Sequence, residues 1–223
     1  MKNTSVFLIL FLFISIVQLF AAAAEFHLVA DISKPFIMLS LAGYYWMMAE
    51  RRSLLFVFAL LFCWAGDVLL IFQPRGQLFF IFGLVAFLIG HLLYMMSYHR
   101  LRWADKQNEL LWTQKIRMSL PIVLAGTGLI TVLLPTLGGL KIPVLVYSLV
   151  LVGMVMAALF RYGRTSPESF WCVFLGATLF MASDSILAIN KFYTPLPYAG
   201  LLIMGTYIGA QYLIVVGVVK HEV

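Results

Sequence analysis

Long apolar stretches alternate with short polar breaks along almost the whole chain. A helix that crosses a bilayer needs about 20 residues at 1.5 Å per residue. On that measure the pattern predicts eight spanning helices, at 6–24, 35–49, 53–72, 77–97, 118–134, 142–160, 169–189 and 197–219. The second stretch is short and is expected to borrow Ser33 and Lys34 at its start. The breaks carry turn chemistry: Gln73-Pro74-Arg75-Gly76, Pro135 to Gly139, and Thr165-Ser166-Pro167. The fold class expected is therefore an all-α polytopic membrane bundle, with residues 1–223 forming a single integral membrane domain.

Composition excludes the soluble alternative. Hydrophobic residues make up 63% of the 223 residues and charged residues only 11%, against about 25% charged in a soluble domain. Cys63 and Cys172 both sit in apolar runs with no CxxC spacing and read as buried free thiols. The excess of basic residues, +6 overall, acquires meaning from its placement. One side of the predicted bundle holds Lys2, Arg51, Arg52, Arg100, Arg102, Lys106, Lys115, Arg117, Arg161, Arg164 and Lys220; the other holds Lys34, Arg75, Lys141 and Lys191. Eleven and four account for all 15, and the positive-inside rule places the eleven, and with them both termini, in the cytoplasm. In a bacterium the membrane would be the inner one. The first stretch, with Lys2 before it and four alanines ending it, also has the form of a secretory signal; its length favours a retained helix. The basic loop at 98–117, with Trp103 and Trp112, reads as a topogenic interfacial segment rather than a nucleic-acid surface.

Of nine acidic residues, only Asp67 and Asp184 fall inside the predicted spans. A carboxylate at a helix centre costs about 2.5–3.5 kcal/mol on insertion scales, so such a residue reads as functional by default. Counted from the predicted helix starts, both lie about 21–22 Å from the basic face and so in one layer, about 8 Å under the opposite surface of a roughly 30 Å core. The stretch 61–70 resembles 179–188, and Lys34-Pro35 resembles Lys141-Ile142-Pro143, which suggests a parallel four-plus-four duplication. The two acids would then face each other across a pseudo-two-fold axis along the membrane normal. His91 and Gln211 form a deeper tier, with Tyr94 and Tyr207 on the same helix faces and Tyr147 level with the acids. Each of these also has a structural reading: an interhelical hydrogen bond for Tyr94, Tyr207 and Gln211, and a snorkelling cation for Lys34.

Metal catalysis is not expected, since His91 is the only histidine inside a span and catalytic zinc takes about three protein ligands. There is no GxSxG. At Lys34-Pro35, the run 66–70, the run 87–94, Tyr147 with Met154, the run 176–188, and Tyr207 with the run 210–214, the chain resembles the YhhN-type lysoplasmalogenase family of eight-span membrane proteins. The resemblance implies hydrolysis of the vinyl ether bond of lysoplasmalogens to a fatty aldehyde and glycerophosphoethanolamine or glycerophosphocholine. It implies a lysophospholipid substrate met within the membrane and no cofactor. Asp67 and Asp184 are then the expected acid–base pair, with Lys34, His91, Tyr94, Tyr147, Ser183, Tyr207 and Gln211 lining the substrate site. Such a reaction needs a protonated acid and an anion beside an oxocarbenium ion, which two carboxylates supply. A non-catalytic transporter or lipid-binding protein built on parallel repeats is the competing class.

Overall fold

The computed structural model describes residues 4–105 and 108–222, so Lys2 and Lys106 of the basic count lie outside the described residues. Among the described residues the chain is all-helical, with eight α-helices: α1 (Thr4–Ala23), α2 (His27–Met48), α3 (Leu54–Ile71), α4 (Gln77–Arg100), α5 (Trp112–Leu133), α6 (Lys141–Leu159), α7 (Pro167–Phe192) and α8 (Ala199–Glu222). Seven of them are long and apolar enough to cross a membrane. The protein is a multi-pass integral membrane protein. Side chains such as Phe13 (64% exposed), Ile16 (68%) and Leu149 (67%) point outward from mid-helix, where lipid rather than water is the only favourable solvent.

The exception is α2. It was expected to open at Pro35, yet it begins at His27 and carries Asp31, Lys34 and Pro35 within it. These residues keep it below the hydropathy of its neighbours. Proline cannot donate the intrahelical bond to residue 31, a defect that membrane helices tolerate when neighbouring polar side chains re-satisfy the backbone. Two residues before the proline, the Ser33 hydroxyl donates to Gln18 Oε1 of α1 (2.5 Å) and to the Val29 carbonyl (2.8 Å), adding a polar tie between α1 and α2. Such polarity is sheltered because α2 packs between α1 and α3. The turns fall at the expected breaks, as 3-10 segments at Gln73–Arg75 and Gly138–Leu140.

The chain divides into two compact units, one running to Ser97 and the other over Tyr98–His221. Each holds four helices running up and down. In the first, α3 and α4 approach closely: a Cβ on Gly90 would lie 3.0 Å from Cys63 Sγ, and one on Gly66 would lie 2.6 Å from the Phe87 ring. In the second, a Cβ on Gly176 of α7 would lie 2.8 Å from the Ala210 carbonyl of α8. Small residues let membrane helices meet backbone to backbone, so these contacts set the registers. The likeness between 61–70 and 179–188 holds only with an offset of one residue, since Asp67 is six residues after Leu61 and Asp184 five after Leu179.

The basic residues hold the helix ends as well as setting the charge bias. Arg52 Nε donates to the Trp46 carbonyl in the last turn of α2 (3.0 Å), Arg102 Nη2 to the Ala157 carbonyl in the last turn of α6 (3.3 Å), and Arg161 Nε to the Leu101 carbonyl just past α4 (3.4 Å). Helix C-termini carry unsatisfied carbonyls and a partial negative charge, so each guanidinium finds part of its countercharge there. Arg161 is fully buried and also bonds Ser169 Oγ (2.9 Å) and Thr165 Oγ1 (3.4 Å). Burial pulls its guanidinium down to about 10, which still leaves it charged at neutral pH.

The linker after α4 is fastened onto the second unit. Trp103 N–H donates to the Arg164 carbonyl (2.7 Å) while Arg164 Nε donates back to the Trp103 carbonyl (2.9 Å). Glu109 pairs with both Arg164 (3.0 Å) and Lys115. Gly163, at φ +68°, accepts the linker's backbone: a Cβ there would sit 1.8 Å from the Asn108 carbonyl oxygen. Leu110 completes a small core with Leu159 and Phe170.

Candidate active site

In the first unit, the early start of α2 carries Lys34 into the bundle opposite α3. Its Nζ lies 3.7 Å from Asp67 Oδ1, and the side chains are 18% and 3% exposed. A carboxylate this deeply buried requires a partner; Lys34, expected as a snorkelling cation or as a residue lining the substrate site, supplies one. Beyond it on α4, His91 is fully buried and stacks on Phe87 with ring centroids 6.4 Å apart. Tyr94, also fully buried, packs against Phe56 at 5.5 Å, and Phe56 against Tyr45 at 4.7 Å.

In the second unit, Tyr147 of α6 donates its phenolic hydrogen to Asp184 Oδ2 of α7 at 2.5 Å. Asp184 is less buried than Asp67. Ser183, beside it in sequence, faces α8 and donates to the Ile203 carbonyl (3.0 Å). Ser185 donates to the Met181 carbonyl (2.6 Å) within its own helix. On α8, Gln211 Nε2 donates to the Tyr207 hydroxyl (3.4 Å), and the Tyr207 ring meets Phe180 edge-on at 5.5 Å.

Each unit thus holds a carboxylate on its third helix, partnered from its second. Lys34 meets Asp67 and Tyr147 meets Asp184, while Tyr207 and Gln211 form a separate pair one helix further on. The partners differ in kind: a cation balances charge, whereas a phenol offers one directed hydrogen bond. Counted from the observed helix starts, Asp67 lies about 20 Å and Asp184 about 26 Å along its own helix. The difference from the equal depths expected arises because α7 opens at Pro167, where the Ser166 side chain caps it.

Sequence reasoning missed several polar contacts. The Gln18–Ser33 bond joins α1 to α2, and nothing in hydropathy marks it. The arginine bonds to helix ends were hidden inside the charge count. Trp64, one helical turn before Asp67, has its indole Nε1 buried with no acceptor in reach among the described residues. Its position three residues from an intramembrane acid was the available signal.

The family described as the YhhN family matches residues 29–218, which include every candidate residue and exclude α1. The human lysoplasmalogenase TMEM86B is 34% identical over 187 residues, which cover 83% of this chain and 73% of the relative. The human lysoplasmalogenase TMEM86A is 28% identical over 186 residues, covering 81% and 71%. A lysoplasmalogenase of Mycobacterium tuberculosis is 34% identical over 170 residues, covering 75% and 60%. No solved structure matches the chain.

Proposed function

The chain belongs to the YhhN family, and on that premise we propose that it is a lysoplasmalogenase working by acid catalysis with Asp67 and Asp184. The observation that carries this reading is a pair of mid-helix carboxylates, each held by a named neighbour, in a chain similar to relatives named for that activity. Vinyl ether hydrolysis begins when the alkene's electron pair takes a proton at the β-carbon. The α-carbon and ether oxygen then share the positive charge of an oxocarbenium ion. Water adds to the α-carbon and loses a proton to a base. The hemiacetal collapses by breaking its bond from the α-carbon to the glycerol oxygen, and aldehyde and glycerophospho-alcohol leave. One acid and one carboxylate suffice for every proton in that sequence, as they do for the oxocarbenium-like state in glycosidases.

The lining follows the same logic. His91, Tyr94, Ser183, Tyr207 and Gln211 lie on the helices that carry or adjoin the two acids, and the lipid chain runs among the apolar residues around them. Both termini face the cytoplasm in this reading, from the eleven-to-four split of basic residues.

Asp67→Asn and Asp184→Asn test it. Each keeps shape and hydrogen-bonding capacity but removes proton transfer. Each should lower aldehyde release from lysoplasmalogen by at least about a hundredfold, the low end for general acid–base catalysis, while lysolipid affinity persists. Two stable variants that bind lysolipid and keep wild-type turnover would end the two-carboxylate mechanism. A wild-type protein that binds lysolipid and releases no aldehyde would favour the non-catalytic class.

A further inference from the structure

Positive charge gathers in the second unit where its own acids do not balance it. The linker, the first turn of α5 and the turn between α6 and α7 carry four cations, Arg102, Lys115, Arg161 and Arg164, against the carboxylates of Asp105 and Glu109. Glu109 is engaged by Arg164 (3.0 Å) and by Lys115. Among the described residues no carboxylate pairs with Arg102 or Arg161. Arg161 is fully buried, and its bonds all end on uncharged oxygens: the Leu101 carbonyl (3.4 Å), the Ser169 carbonyl (3.5 Å), Thr165 Oγ1 (3.4 Å) and Ser169 Oγ (2.9 Å). Buried charges are ordinarily paired, and these dipoles, three of them at the long end of hydrogen bonding, supply no countercharge.

Arg102 carries that charge toward the surface. Its Nη2 donates to the Ala157 carbonyl at the end of α6 (3.3 Å), while Arg161, just past that end, donates back to Leu101 in the linker. Arg164 holds the linker at the next residue, through its paired bonds with the Trp103 backbone. Arg102 is only partly buried, yet its Nε–H is enclosed with no acceptor in reach among the described residues. Burial, and after it the charge of Arg164, hold its guanidinium below the ordinary arginine range, and Glu109 offsets part of that. Exposed aromatic rings directly follow both arginines, Trp103 (49%) after Arg102 and Tyr162 (43%) after Arg161. Trp and Tyr concentrate at the headgroup level of a membrane, where lipid phosphates lie.

We propose that Arg102 is the ligand of a phosphate site for an anionic membrane lipid, with Arg161 and Arg164 adding their charge from the protein side. The site lies wholly within the second unit and is independent of the vinyl ether reading. A guanidinium fork matches two phosphate oxygens with parallel charge-assisted bonds, and basic pockets at helix ends are where membrane proteins hold anionic headgroups. Arg161 and Arg164 are already bonded to the protein, so they act on the phosphate through charge, while Arg102 has N–H groups left to give. A phosphomonoester, at about −1.5 to −2 near neutral pH, suits three guanidiniums better than a phosphodiester. The class of ligand is therefore a lipid of the phosphatidic acid type, and a bound headgroup would brace the linker against the end of α6.

The test is equilibrium binding of dioctanoyl phosphatidic acid to the full chain in a neutral detergent, read from the mass of the intact complex. Wild type should hold a single lipid at least about tenfold more tightly than dioctanoyl phosphatidylcholine, and dioctanoylglycerol should not compete. Arg102→Gln should weaken phosphatidic acid by at least about tenfold, the scale of a lost hydrogen bond to a charged group. Arg102→Lys, which keeps the charge and loses the fork, should weaken it less. Arg51→Gln removes an exposed arginine of the first unit and should leave the affinity within about twofold. The intact complex reports only folded protein, so a less stable variant still gives an affinity. Wild type without preference for phosphatidic acid over the uncharged lipid would overturn the proposal whatever the variants do. So would Arg102→Gln at wild-type affinity, or Arg51→Gln weakened as much as Arg102→Gln, which would mean attraction to the basic face at large. Inorganic phosphate that displaces the lipid at equal concentration would assign the site to the free anion and overturn the lipid assignment. Aldehyde release from lysoplasmalogen, measured separately, decides the vinyl ether reading and leaves this one untouched.

Discussion

Lys34 can serve Asp67 or it can serve the substrate's phosphate, and its removal separates the two. At 3.7 Å the attraction between the two charges is about 4.5 kcal/mol at an effective dielectric constant of about 20. Part of that offsets the desolvation of both groups, so the pair adds little net stability, but stripping one partner from a buried pair costs about 3–5 kcal/mol. Lys34→Met should therefore destabilise the protein by about that amount, because the Asp67 carboxylate, 3% exposed at its side chain, loses its countercharge. Asp67→Leu should cost less, since the ammonium, 18% exposed at its side chain, can extend toward water. The double variant Lys34→Met/Asp67→Leu should return close to wild-type stability, because an apolar pair of similar volume needs no solvation. Unfolding of all four proteins in one detergent gives the coupling energy, expected at about 2–4 kcal/mol. Michaelis constants for lysolipid on wild type and Lys34→Met complete the comparison. Additive effects within about 0.5 kcal/mol, together with a raised KM for Lys34→Met, would refute the ion-pair assignment and make Lys34 a headgroup ligand.

Tyr147→Phe removes the hydroxyl bonded to Asp184; a lost hydrogen bond worth about 1.4 kcal/mol at the transition state would lower kcat about tenfold, with KM little changed. Glu109 is held below the ordinary glutamate value of 4.5 by its hydrogen bond from Lys115, reinforced by the charges of Lys115 and Arg164. Its hold on the linker is therefore complete above about that pH and is lost as pH falls through the depressed value. Limited proteolysis at the linker should accelerate below pH 4.5, and Glu109→Gln should show the faster cutting already at neutral pH. Reporter fusions after Arg117 and after Glu222 should both read cytoplasmic; an external signal at either would reverse the orientation drawn from the basic residues.

Hydropathy and turn chemistry along the chain determined the membrane class, and they marked each helix to within a few residues except at the starts of α2 and α5; α5 opens at Trp112, six residues inside the loop expected at 98–117, because its first turns carry polar and basic side chains. The reason is that crossing a bilayer is a property each segment satisfies alone: it needs length, apolar side chains and its own backbone hydrogen bonds. Asp67 and Asp184 stood out for the same reason, as local violations of that requirement. What the sequence left open was partnership. Whether Lys34 lies against Asp67 or at the membrane surface depends on which face α2, which begins at His27 before Pro35, turns toward α3. Whether Ser183 faces a substrate or a backbone carbonyl depends on how α7 is rotated against α8, which Gly176 fixes by close approach. The basic residues could be counted but not seen bonded to the ends of α2, α4 and α6. Rotation and register are decided by small residues meeting across helices, and no single helix contains that information. The tertiary structure alone brings Asp67 to Lys34 and Asp184 to Tyr147, because only it sets which faces of neighbouring helices meet.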